Sequence, residues 1–149
     1  MHSDGTVKIE PERARTWVAG SLVLQFLGYV YDALWHGVLH PGNEPTTRAE
    51  MVRHLSTVHL PLYMGAACVL ISTGLALIGQ IRRSATGVAL PIAFAGAVLS
   101  AASEAWHASS HLELETHNAP TAGVLSVIGF LVVVVTMSLA RGIGGPRSA

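Results

Sequence analysis

The chain has 149 residues, a formal net charge of zero and only 12% charged residues against 50% hydrophobic ones. A mean hydropathy of +0.47 is high for a soluble globule, and the few scattered basic residues argue against nucleic acid as a partner. The single cysteine, Cys68, excludes an intrachain disulfide and thiolate-rich zinc or iron–sulfur sites. These values indicate a single transmembrane domain over residues 1–149, surrounded by lipid bilayer.

Four apolar segments are long enough to cross a bilayer, which takes a helix of ~20 residues. We predict helices over about 16–40, 47–81 (membrane part from 60), 87–110 and 121–140. The proline and glycine after His40 end the first helix. Thr47 and Glu50 have the spacing of a capping box at the start of the second helix, and Pro61 predicts a kink in it. The sequence therefore predicts an all-α fold, an integral membrane four-helix bundle.

Four crossings place both termini on the same side of the membrane, and the basic residues indicate which side. Only Arg48 and Arg53 lie on one side, whereas the other holds seven: Lys8, Arg13, Arg15, Arg82, Arg83, Arg141 and Arg147. Because lysine and arginine concentrate in cytoplasmic loops, we predict that both termini are cytoplasmic. Every histidine except His2 is then expected at or near the extracytoplasmic ends of the helices.

The most specific stretch is YVYDALWHGVLH, residues 29–40, which places an acid and two imidazoles inside an apolar helix. Offsets of four put Asp32, His36 and His40 on one helical face. Ionisable groups at membrane depth are costly and usually mark a functional site. We therefore interpret this face as one wall of a binding site.

The third helix supplies the opposite wall, because Glu104, His107 and His111 also share one face. Di-iron and di-manganese carboxylate bundles use the same Glu-x-x-His spacing, and His59 enters the membrane at the same level. The predicted metal ligands are Asp32, His36, His59, Glu104 and His107, with His40 and His111 as secondary candidates and His117 nearer the surface. A set of imidazole and carboxylate ligands without thiolate suits copper, iron, zinc or manganese, and the number of candidate ligands allows one bound ion or two. A single interfacial histidine is more often a packing residue, and taken individually His54, His111 and His117 are interpreted in this way.

Several functions are compatible with this pattern. The first is a membrane metalloprotein, with oxidoreductase as a reaction class. The alternatives are a b-type haem electron carrier using two histidines such as His59 and His107, and a non-catalytic accessory or assembly subunit of a larger membrane complex. Without a metal, the acids and histidines would form a polar clasp between helices. A small-residue face on the third helix, around Gly96 and Ala97, predicts a homo-oligomer.

Two resemblances bear on these alternatives. Asp32-x-x-x-His36 on a membrane helix is similar to part of the copper-ligand pattern in the membrane C subunit of particulate methane and ammonia monooxygenases. The likeness covers this spacing alone, and it implies copper ligation by these two residues. Separately, D-A-L-W-H over 32–36 followed by H-L-P-L-Y over 59–63 resembles a pattern in uncharacterised multi-pass bacterial membrane proteins. That second resemblance implies a bacterial plasma membrane and no particular function.

Overall fold

The computed structural model describes residues 11–42, 45–114 and 119–143, and within these ranges all regular structure is helical. The helices are α1 (Pro11–Leu34), α2 (Arg48–Thr57), α3 (Leu60–Arg82), α4 (Ala89–Leu112) and α5 (Ala119–Ile143), and a π-helical segment, Trp35–Leu39, continues α1. Four helices are long and apolar enough to cross a membrane: Glu12–Leu39, Leu60–Arg82, Ala89–Leu112 and Pro120–Ala140. The predicted all-α, four-helix membrane bundle is confirmed, and the cytoplasmic position of both termini remains a prediction.

The helix expected over 47–81 is divided into α2 and α3 by a two-residue break. The capping box forms as predicted: the backbone N–H of Glu50 donates to the Thr47 hydroxyl at 3.3 Å, and the Thr47 N–H donates to the Glu50 carboxylate at 3.2 Å. Pro61 lies in the first turn of α3, where its missing N–H costs no intrahelical hydrogen bond. Pro61 therefore starts a new helix, and His59 lies at the junction.

Two glycines bring α1 and α3 into backbone contact. A Cβ added at Gly65 would lie 2.4 Å from the Cα of Gln25, and one added at Gly28 would lie 2.5 Å from the Cα of Leu62. Small residues allow membrane helices to approach this closely. The spacing between α1 and α3 therefore depends on the absence of side chains at these two positions.

The small-residue face of α4 packs against α5 inside the same chain. A Cβ at Gly129 would lie 2.5 Å from the carbonyl oxygen of Gly96, and Ala93 and Ala97 are fully buried. The feature that suggested a homo-oligomer thus has an intramolecular role, and oligomerisation stays a prediction.

One end of the bundle is covered by α2. Consecutive spans alternate in direction, so the end of α1, the start of α3 and the end of α4 meet there. The buried residues of α2 and its C-terminal flank fall on one stripe that faces α3 and α4: Met51, His54, Leu55 and Val58. Their i, i+3, i+4, i+7 spacing is that of an amphipathic helix. The short helix therefore closes the end of the bundle where the histidines lie.

Candidate metal centre

His59 is the centre of a histidine cluster. Its side chain is 1% exposed, and four more imidazoles surround it. The ring centroids of His36, His54, His107 and His111 lie 5.6, 4.8, 5.3 and 5.5 Å from that of His59. We refer to these five residues as the histidine cluster. Its members come from the π-helical end of α1, from α2, from the α2–α3 junction and from α4, so only the folded bundle assembles it.

The cluster contains two groups that could each hold a metal ion. The first group is His36, His54 and His59, and the second is His59, His107 and His111. In each group the ligand atoms all lie within 4.8 Å of one another. His59 is the shared member.

The two shortest nitrogen–nitrogen distances have the length of a hydrogen bond between two imidazoles and also fall in the range expected between two ligands of one metal ion. The Nε2 atoms of His54 and His59 are 3.1 Å apart, and those of His107 and His111 are 3.0 Å apart. With metal–nitrogen bonds of ~2.0–2.1 Å, two ligands are about 3.3 Å apart at a tetrahedral angle and about 2.9 Å apart at a right angle. Both pairs could therefore bind one ion each without a large rearrangement.

Asp32 lies beside the cluster. Its Oδ1 is 2.9 Å from Nδ1 of His59 and 3.7 Å from Nε2 of His36. The shorter contact has hydrogen-bond length, yet Asp32 Oδ1 and His59 Nδ1 are both buried and neither has a hydrogen-bond partner of acceptable geometry among the described residues. The two atoms are thus close but poorly aligned for an N–H···O bond.

The π-helical segment determines which histidine of α1 joins the cluster. The backbone N–H of His40 donates to the Trp35 carbonyl at 2.9 Å, an i→i+5 bond that widens the turn. Such segments are rare and frequent at functional sites. His40 consequently leaves the face of Asp32 and His36 and is exposed. Its ring contacts that of Trp35 at a tilt of 38°, with centroids 4.6 Å apart. Trp35 also contacts His54, with ring centroids 4.5 Å apart, and so covers the cluster from outside.

Glu104 is buried on α4, but its carboxyl group is hydrogen-bonded to Ser126 of α5. The Ser126 hydroxyl is also hydrogen-bonded to the Tyr29 hydroxyl at 2.6 Å and to the Ser100 hydroxyl at 3.1 Å. The side-chain amide of Gln25 donates to the Ser100 hydroxyl at 2.7 Å. Glu104 is in neither three-histidine group. It connects the neighbourhood of the cluster with a buried chain of hydroxyl and amide groups deeper in the bundle.

Tyr63 borders the cluster one turn into α3. Its ring stacks on His59, with a centroid distance of 5.8 Å and an interplanar angle of 17°. Its hydroxyl is buried without a hydrogen-bond partner among the described residues. A polar group left unpaired in a buried position is costly, and a ligand or water bound next to His59 would relieve that cost.

The predicted ligands therefore separate into two sets. Asp32, His36, His59, His107 and His111 lie together. Asp32, His40 and Glu104 lie outside both three-histidine groups, although Asp32 contacts His59 at 2.9 Å, and His117 is outside the described residues. Which of these residues bind a metal remains a prediction.

His54 is the member of the cluster that the sequence does not predict as a ligand. Its position outside the apolar spans favours an interfacial packing residue. The signal that identifies it is the buried stripe of α2, in which His54 occupies the i+3 position from Met51. Burial is also the main reason that the pKa of His54 is lowered to about 4, with the neighbouring His59 and His36 contributing further.

This shift predicts that acid detaches α2 in the metal-free protein. An exposed histidine has a pKa of 6.5, whereas His54 has a pKa of about 4 when α2 is packed against α3 and α4. Protonation of His54 therefore favours the state in which α2 is detached. The packing of α2 is then most stable above pH 6.5 and weakens as the pH falls towards 4. Hydrogen exchange of α2 amides, corrected for the intrinsic pH dependence of exchange, measures this. We expect His54→Asn to show a smaller loss of protection on acidification, and an unchanged loss would contradict the assignment.

No protein-family model matches this chain, and no curated protein or solved structure gives a match. Its function therefore has to be inferred from the histidine cluster and from the position of that cluster in a membrane-spanning bundle.

Proposed function

We propose that this chain is a membrane metalloprotein whose histidine cluster binds a transition metal, with copper, iron and zinc as candidates. The observation that supports this best is the arrangement of four imidazoles around His59 in two three-histidine groups, in each of which the ligand atoms lie within 4.8 Å of one another. Burying so many polar rings in an apolar bundle is unfavourable unless they are satisfied. His54 is hydrogen-bonded to His59 and His107 to His111, and a metal ion in each three-histidine group would replace these bonds and also engage His36.

The donor set restricts the chemistry. Imidazole and carboxylate donors suit copper, iron and zinc, and copper or iron would supply electron transfer whereas zinc would supply Lewis acidity. The Asp32–His36 spacing, similar to that of a monooxygenase copper site, favours copper, and an oxidoreductase activity is proposed on that basis. Asp32 would orient the His59 ring, and Trp35 would limit access of water.

The site is proposed to face the extracytoplasmic side. This follows from the distribution of basic residues, since the histidine end of the bundle carries only Arg48 and Arg53. Metal would then reach the cluster from outside the cell, past α2.

Haem b fits this arrangement less well. The rings of His59 and His107 are 5.3 Å apart, and His36, His54 and His111 also contact His59. A porphyrin between the two axial histidines would have to displace those rings.

A metal add-back experiment tests the proposal. Purified protein is treated with a chelator in detergent and then given Zn²⁺, Cu²⁺ or Fe²⁺, and its thermal midpoint is measured. A ligand at 100 times its Kd stabilises the native state by about 2.7 kcal/mol, so at least one ion should raise the midpoint by several degrees. Mg²⁺, which prefers oxygen ligands, should not.

The matched control is the double variant His54→Ala/His107→Ala, which removes one ligand from each group. It should lose the metal-dependent increase. The proposal fails if no ion stabilises the wild-type protein, or if the double variant responds in the same way.

A further inference from the structure

We propose that His59 bridges two metal ions, one on each ring nitrogen, so that the histidine cluster is a dinuclear centre. This inference rests on the metal-binding function proposed above and adds its nuclearity. It comes from the division of the cluster into two three-histidine groups that share His59 and no other residue.

The Nε2 side of His59 belongs to the first group. That atom is 3.1 Å from Nε2 of His54, and His36 lies within 4.8 Å of both ligand positions. Three nitrogens from three separate elements therefore converge at this point. We assign the first ion to His36, His54 and His59.

The Nδ1 side of His59 also faces a candidate ligand. Oδ1 of Asp32 is 2.9 Å away, and the two atoms lack the alignment of a hydrogen bond. A short distance without hydrogen-bond alignment is expected when the lone pairs of a carboxylate oxygen and a ring nitrogen both point towards one ion. The second group adds His107 and His111, whose Nε2 atoms are 3.0 Å apart. We assign the second ion to His59, His107 and His111, with Asp32, which is in neither three-histidine group, beside Nδ1 of His59.

The competing arrangement has one ion on Nε2, with Nδ1–H of His59 donating to Asp32. A carboxylate behind a metal-bound histidine is common and orients the ring. In that case the N–H would point at the carboxylate oxygen, an alignment that these atoms lack.

A bridging imidazole must lose the proton that a neutral ring carries on one nitrogen. Metal binding releases protons from its ligands, and here His59 gives up its remaining ring proton to solvent when the second ion binds. No oxidant or reductant is needed, because each ion keeps its charge.

Copper(II) titration of chelator-treated wild-type protein tests the bridge, with bound copper measured by mass spectrometry and by electron paramagnetic resonance. We expect two coppers per chain and a resonance signal well below that copper content, because an imidazolate couples two copper(II) ions antiferromagnetically. His54→Ala and His111→Ala should each bind one copper with a full signal. His40→Ala, which changes an exposed histidine outside both groups, should behave as wild type.

The other outcomes separate the bridge from metal binding itself. One copper with a full signal in wild type, and affinity reduced by about 10–100-fold in Asp32→Asn, would establish the single-ion arrangement and overturn the bridge. Two coppers with a full signal would also overturn it. Each of these results leaves the proposed function intact, whereas a wild-type protein that binds none of copper, iron and zinc contradicts both proposals.

Discussion

The His59→Ala variant is expected to retain roughly a tenth or less of the wild-type metal. Loss of an indirect metal contact already costs about 10–100-fold in affinity, and His59 is a direct candidate ligand shared by both groups. Its removal leaves two nitrogens in each group, too few for the three or four protein ligands that transition metals usually take. Metal content by mass spectrometry, normalised to protein, measures the effect.

His40→Ala is the control for His59→Ala. His40 is exposed at the end of the π-helical segment and should be replaceable without loss of metal. Since His59 is fully buried and alanine leaves a cavity there, the His59→Ala variant must first be shown to fold. Its helix content and size-exclusion profile have to match those of the wild-type protein. His59→Asn, which keeps polarity and part of the volume, provides a second variant. A folded His59 variant with wild-type metal content would show that the ligand assignment is wrong.

Gly65→Ala is expected to destabilise the bundle and to reduce metal binding at the same time. The added Cβ would lie 2.4 Å from the Cα of Gln25, a backbone atom that cannot move aside by a rotamer change. Overpacking of this kind costs about 1–3 kcal/mol. It would also push α1 from α3, and with it Asp32 and His36 from His59. Thermal unfolding in detergent and metal content measure the two consequences.

Gly20→Ala is the matched substitution on α1. No atom lies within 4 Å of a Cβ built at Gly20, and alanine is favoured over glycine in a helix by about 1 kcal/mol. This variant should be as stable as wild type or slightly more so. If Gly65→Ala proved equally stable and equally rich in metal, the close approach of α1 and α3 would not be required for the site.

Local signals account for what could be predicted of the fold. The four spans follow from hydropathy and length, and the capping box of Thr47 and Glu50 follows from side chains three residues apart. Pro61 was recognised as a disruption, but the sequence leaves open whether such a proline kinks a helix or begins one. Tertiary packing of α2 on α3 and α4 decides this.

The site was predictable as far as α-helical periodicity applies. Asp32 and His36 lie four residues apart on α1 and its continuation, and His107 and His111 four apart on α4, so each pair converges. The π-helical segment breaks that periodicity and removes His40. His54 reaches the cluster only because α2 packs over the end of the bundle, and this packing depends on contacts between elements that are distant in the sequence. Glu104 shares its face with His107, but Ser126 of α5 offers the carboxyl a partner that spacing on α4 cannot reveal.

The most direct test of metal binding is the metal content of wild-type protein, gently solubilised and never exposed to a chelator, with a visible spectrum of the same sample. We predict near-stoichiometric or higher copper, iron or zinc per chain and no Soret band. Protein that contains neither metal nor haem would contradict the account, and it would favour a polar clasp of acids and histidines in an accessory subunit of a larger membrane complex.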